Sequence, residues 1–308
     1  MVNSSSEVFV LKTVDRATGV RELLKKFDLS DFSGKRVALK ANYNSADPFP
    51  ASTHLDTLRA LVETLKAFGS RSITLAERSG MGDTEEVLQK MGVFALAEEL
   101  GFEAVVLNDI GKEDWVKVEH KDTHWLKGFY IAKVFCDADK VVQTCCLKTH
   151  RFGGHFTLSM KNSVGLVAKR VPGGVYDYMW ELHTSPYQRQ MIAEINTNYS
   201  LDFVLMDGIK AFVTGGPEAG KLVEPNLLLA SRDRVAIDVV GVAVLKEYGA
   251  KGKVGAAGIF DQDQLKRAAE LGFGAKSVDD IQLRPLNDES SAETEKIERV
   301  LQGTLIAH

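Results

Sequence analysis

The stretch Lys148-Thr-His-Arg-Phe-Gly-Gly-His-Phe-Thr-Leu-Ser-Met-Lys-Asn-Ser-Val-Gly165 concentrates groups that bind anions and move protons. An imidazole titrates near neutral pH, so His150 or His155 can serve as a general base. Lys161 can stabilise the negative charge that develops when a proton is abstracted beside a carbonyl. His150 and His155 stand five apart, which is not the four-residue helical spacing of a zinc-protease pair, although a loop can still bring them together. Gly153–Gly154 let the backbone turn sharply or approach a ligand closely. Phe156 to Met160 reads as the start of a helix, with Thr157 in its first turn. Backbone N–H groups at such a start, with Lys148 and Lys161, suit a carboxylate or phosphate. A solvated basic loop is the plainer reading of the same residues.

Elements on both sides must position this stretch. Val37–Lys40, Ile73–Ala76 and Ala104–Leu107 are short apolar runs that predict strands. Leu55–Phe68 has apolar residues at helical spacing and Gly69 at its end. Thr84–Met91 and Ala95–Leu100 read as helices closed by Gly92 and Gly101. The strand–helix–strand rhythm predicts an α/β fold built on a mostly parallel, doubly wound sheet. Trp115–Glu119 and Tyr130–Val134 read as antiparallel additions. Lys140–Thr144, Phe203–Met206 (ending at Asp207–Gly208) and Leu227–Ala230 are further strands. Gln188–Thr197, Arg234–Tyr248 and Gln262–Leu271 are further helices. Ala292–Leu301 reads as a charged, peripheral one. One α/β unit spans 1–308. Two lobes, 1–135 and 136–290, with a cleft between them and a peripheral helix in 291–308, stand as the alternative to a single continuous sheet.

In open α/β sheets the ligand lies beyond the carboxyl ends of the strands. Here those ends carry Lys40, Asn42, Glu77, Lys148 and Asp207, and with Thr53 and Asn162 they form the expected substrate-binding set. His150, His155 and Lys161 form the expected catalytic set. Thr53 is also a natural N-cap for the helix that follows it. His120, His124 and His183 are read as surface residues or structural hydrogen-bonders. Asp238 falls inside an apolar helix, where a lone carboxylate is costly, so it must cap a backbone or meet a Lys or Arg. Lys148→Ala and His150→Ala are expected to leave folding intact and to abolish ligand binding.

Composition narrows the function classes. The chain has 308 residues, 44% of them hydrophobic and 26% charged, which excludes a disordered chain or a coiled coil. A formal charge of −4 gives no electrostatic case for nucleic acid or an anionic membrane. The first residues are polar and no apolar run is long enough to span a bilayer, so a cytoplasmic protein is expected. Cys136, Cys145 and Cys146 lack cluster spacing, so no self-contained iron–sulfur cluster is expected and the thiols read as buried and inert. Gly215-Gly-Pro-Glu-Ala-Gly-Lys221 lacks the Ser or Thr of a phosphate loop. Asp207, Asp238, Glu77, His150 and His155 are of the kinds that ligate divalent metals, so a metal-assisted reaction is compatible with the chain.

The order of these pieces resembles the domain of unknown function 362 family, from about Val37 to Leu245. The matching residues are Lys40-Ala-Asn42, Thr53-His54, Glu77, Lys148-Thr-His150, Thr157 through Lys161-Asn162 and Gly165, Asp207-Gly208 and Asp233 through Asp238. Many relatives carry a ferredoxin-like module with iron–sulfur cysteines, which this chain lacks. Arg234 stands where the family usually has proline. The central loop is more distantly similar to nickel-dependent lactate racemases. Together these readings point to an enzyme acting on a small anion by proton transfer or isomerisation. A non-catalytic small-molecule or cofactor carrier and an iron–sulfur-linked redox protein are the alternatives.

Overall fold

The protein is seen in a computed structural model that describes residues 5–119, 121–152 and 155–303. Its strands are β1 (Ser6–Lys12), β2 (Arg36–Lys40), β3 (Ser72–Glu77), β4 (Glu103–Val106), β5 (Trp115–Val118), β6 (Phe129–Ala132), β7 (Lys140–His150), β8 (His155–Thr157), β9 (Phe203–Gly215), β10 (Gly220–Val223), β11 (Leu227–Ser231) and β12 (Ile281–Pro285). The main sheet has the order β12-β1-β11-β9-β7-β2-β3-β4, with β8 added to β7 and β10 to β9. Neighbours from β4 through β3, β2 and β7 to β9 are all parallel. β11 runs antiparallel to β9 and β1. β5 and β6 form a separate antiparallel pair.

Alternation along the strands decides which face each side chain meets. Val37, Leu39, Phe203 and Leu205 pack with the helices Arg16–Leu24 and Leu55–Ala67 on one face. Val204, Met206, Leu227 and Leu229 pack on the other face against Arg234–Glu247. That helix is buried along almost its whole length, which explains its apolar composition all round. Asp233 starts it by accepting from the amides of Val235 (2.7 Å) and Ala236 (3.1 Å). Helices cover both faces, so the fold is the expected doubly wound, mostly parallel α/β sheet. Strands from 1–135 and from 136–290 share that sheet.

Several boundaries differ from the sequence reading. β7 continues past Thr144 to His150, and the chain then turns back, so that Lys148 pairs with Thr157 and His150 with His155. Residues 155–157 are therefore held in a ladder. The helix that follows is only Ser159–Asn162. β9 does not end at Asp207–Gly208. A bulge between Cys146 and Leu147 absorbs the extra residues there, and β9 runs on into a hairpin with β10. The helix Asp288–Leu301 starts earlier than expected and buries Ile297 and Val300 in the core, so it is not peripheral. Cys145 and Cys146 are buried, but Cys136 is exposed. No helix among the described residues is long and apolar enough to cross a membrane.

Candidate functional site

Parallel neighbours place their carboxyl ends side by side. Lys40 is the last residue of β2, Glu77 the last of β3, and Lys148 and His150 close β7, the strand on the far side of β2. At these ends lies a cavity of about 260 Å³, lined by Lys40, Asn42, Glu77, Lys148, His150, Lys161 and Asn162 among others. Seven of the ten residues singled out from the sequence thus meet in one hollow.

The floor is a buried hydrogen-bond network. Lys40 Nζ donates to Glu77 Oε1 (2.6 Å) and Oε2 (2.7 Å) and to Asn162 Oδ1 (3.3 Å). Glu77 also accepts from the amides of Tyr43 (3.1 Å) and Arg78 (2.9 Å). Asn42 Nδ2 donates to Asn162 Oδ1 (3.3 Å), and Asn162 Nδ2 donates to the carbonyl of Thr144 (3.1 Å). Lys148 Nζ donates to Asn42 Oδ1 (2.7 Å), the Pro50 carbonyl (3.1 Å) and the Ala51 carbonyl. Lys148 is completely buried and all three of these acceptors are neutral, so desolvation lowers its pKa. Burial also lowers that of Lys40, against the pull of Glu77. Gly165 closes the floor: a Cβ there would stand 2.9 Å from Glu77 Oε1 and 2.7 Å from Lys40 Cε. Only glycine lets the chain pass so close to the pair.

The walls hold the groups left for a ligand. Lys161 has no hydrogen-bond or ion-pair partner among the described residues. Desolvation, followed by the fields of Arg189, Lys148 and Arg78, pushes its pKa down to about 7. Arg78 is buried and anchored to the carbonyls of Val167 (2.8 Å) and Val164 (2.7 Å). Its pKa falls to about 10, still cationic at neutral pH. His150 Nδ1 lies 2.7 Å from the Phe152 carbonyl. A carbonyl only accepts, so Nδ1 carries the proton and Nε2 is left as an acceptor. Burial, with Lys161 and Arg189 beside it, holds the ring far below the usual imidazole range. His183, at the rim, bonds the Met179 carbonyl through Nδ1 in the same way (2.6 Å). The lining has five cationic side chains, Lys40, Arg78, Lys148, Lys161 and Lys169, against the single carboxylate of Glu77.

Three expected site residues do not line the cavity. Thr53 lies behind Asn42, accepting its amide at Oγ1 (2.8 Å). It is not the helix cap either: His54 is, with Nδ1 accepting from the Asp56 amide (3.2 Å). Asp207 accepts from Arg16 Nε (2.7 Å), Thr57 Oγ1 (2.6 Å) and the Ile209 amide (3.1 Å), tying β9 to two helices. His155 is buried, with Nε2 3.9 Å from Asp263 and its pKa lowered to about 4, chiefly by desolvation. Asp238 takes the capping role: Oδ1 accepts from the Ser159 amide (2.7 Å) and Oδ2 from the Met160 amide (3.0 Å). Among the described residues it meets no Lys or Arg in an ion pair, and burial pushes its pKa up to about 8. His124 pairs with Glu194 (2.6 Å), a structural contact as expected. His120 and Gly153–Gly154 lie outside the described residues.

A divalent metal needs several anionic or imidazole donors gathered together. Among the described residues no three His, Cys, Asp or Glu side chains are so arranged. Glu77 is held by Lys40, Asp207 by Arg16, and Asp238 by two amides. Arg78, which follows Glu77 at a strand end, and His183, expected at the surface or in a structural hydrogen bond, also line the cavity. Nothing local in the sequence marks His183, which reaches the rim from the helix Tyr178–Thr184.

Residues 37–243 match the family model described as Domain of unknown function (DUF362). The chain belongs to the DUF362 family. The matched span contains every residue of the floor network and Arg78, Lys161 and His150. No curated protein matches the chain. Among solved structures, the lactate racemase apoprotein from Thermoanaerobacterium thermosaccharolyticum is 17% identical, with a TM-score of 0.46, over 73% of this chain and 54% of that one. The chain thus spans about half the length of that protein.

Proposed function

We propose that this DUF362 chain is an enzyme that binds a small carboxylate- or phosphate-bearing molecule in the cavity and moves a proton on it. The observation that carries the reading is Lys161, without a partner among the described residues and set among four other basic side chains in a cavity that is also lined by a His150 imidazole with Nε2 left as an acceptor. Lys161 and Arg78 receive the anion. The protonated Lys161 also faces negative charge developing on a substrate oxygen, and a group titrating near 7 can give up a proton at neutral pH. His150 Nε2 is the proton acceptor. Burial, with the fields of Lys161 and Arg189, keeps it a weak base, and a bound anion offsets the cationic part of that shift and strengthens it. The floor network holds the strand ends in place and leaves the wall groups free. A carrier would use the same residues without exchanging a proton with its ligand.

The test is solvent-deuterium exchange, followed by proton NMR, on a panel of α-substituted carboxylic acids incubated with the protein. Loss of the Cα–H signal in wild type, and its retention with Lys161→Gln and with His150→Gln, is the expected result. Binding without exchange for any acid that binds would make the protein a carrier.

A further inference from the structure

We infer that the cavity is one compartment of a longer binding site, whose second compartment takes a phosphate group on the same ligand. The inference rests on the anion reading of the first compartment. A second cavity of about 420 Å³ shares Arg78 and Lys169 with the first. Its lining adds Lys112 and Arg170 and contains no Asp or Glu. Arg78 fixes the boundary: its Nε and Nη2 are pinned to the carbonyls of Val167 and Val164, so the buried guanidinium cannot swing away from either side. Lys112 has no hydrogen-bond or ion-pair partner among the described residues. Among the described residues the exposed Arg170 side chain meets only Asp177, at 3.4 Å, a contact that a ligand can readily replace.

Four cationic side chains without a lining carboxylate favour a group carrying more than one negative charge, which points to phosphate rather than a second carboxylate. Trp115, Ile110 and Leu107 give the compartment an apolar side against which a short carbon chain can lie. Arg78 and Lys169 line both compartments, so a ligand laid past these two side chains enters both. Its second contact is then made at high effective concentration.

Calorimetric titration of the full chain with hexanoate and with 6-phosphonohexanoate tests this. The phosphonate should bind at least about tenfold more tightly, the effect of roughly one well-made ionic contact. Lys112→Gln combined with Arg170→Gln should remove that gain and leave hexanoate binding unchanged. Both side chains are exposed, so an unaltered thermal midpoint confirms that the variant folds. Equal affinities in wild type, or a gain that survives in the double variant, would overturn the inference. Failure of wild type to bind hexanoate at all would instead remove the anion reading on which it rests.

Discussion

Lys161 gives the account its sharpest quantitative consequence. Desolvation, followed by the fields of Arg189, Lys148 and Arg78, pushes its pKa down to about 7. Protons leave it as the pH rises, so the group that receives a carboxylate is lost across neutrality. Hexanoate stays ionised throughout this range and adds no titration of its own. A lysine titrating at about 7 is roughly nine-tenths charged at pH 6 and one-tenth at pH 8, so the dissociation constant should weaken about tenfold between them. Isothermal titration at half-unit intervals would trace the curve. Proton uptake on binding, seen as a dependence of the heat on buffer ionisation, should peak near the midpoint. Lys161→Met should bind weakly at every pH and show no slope. A flat wild-type profile, or the same slope in Lys161→Met, would refute the assignment of the anion to Lys161.

Other perturbations follow from the same contacts. Lys161→Met should raise the thermal midpoint, most at pH 6 and least near pH 10: the unfolded lysine titrates well above the folded one, so the cost of the charged form is complete below about pH 7 and shrinks as the pH rises. Lys148→Ala strands Asn42 Oδ1 and the Pro50 and Ala51 carbonyls in a dry interior, and should cost about 2–5 kcal/mol in urea unfolding, contrary to the reading from sequence that folding would be untouched. Glu77→Gln leaves the buried Lys40 ammonium without its counter-charge, and should cost about 3–5 kcal/mol by the same assay, a loss largely recovered by Lys40→Met with Glu77→Leu. Asp238→Asn presents an amide donor to the Ser159 or Met160 N–H, and should cost about 1–3 kcal/mol while weakening hexanoate binding through displacement of Lys161. The His150 imidazole should move to higher pKa when hexanoate binds, observable by NMR of the ring protons.

The central strands β2, β3, β4 and β11 were legible because each is a short apolar run, and a helix such as Val93–Leu100 because it stops at a glycine, whereas the outer strands β1, β10 and β12 and the helix Arg16–Leu24 were not read from the sequence. The strand ends were legible for the same reason, and the parallel order β7-β2-β3 turns separate sequence positions into one site. Other features depend on long-range pairing. Whether Asp207 faces a cavity or a helix depends on the bulge between Cys146 and Leu147, which no local pattern announces. His155 looked equivalent to His150, but the cross-strand register sets it among Arg189, Lys253 and Asp263, away from the hollow. Lys148 was read as substrate-binding and Lys161 as catalytic, but nothing local announces that carbonyl and amide oxygens saturate Lys148 while Lys161 has no hydrogen-bond or ion-pair partner among the described residues.

The most direct test of the central claim is an anomalous difference map from crystals grown at neutral pH and briefly soaked in bromide. An ion in the hollow between Lys161 Nζ and Arg78, absent from Lys161→Met crystals treated identically, is the predicted result. Bromide confined to the outer surface, with the hollow holding only water in both proteins, would contradict it.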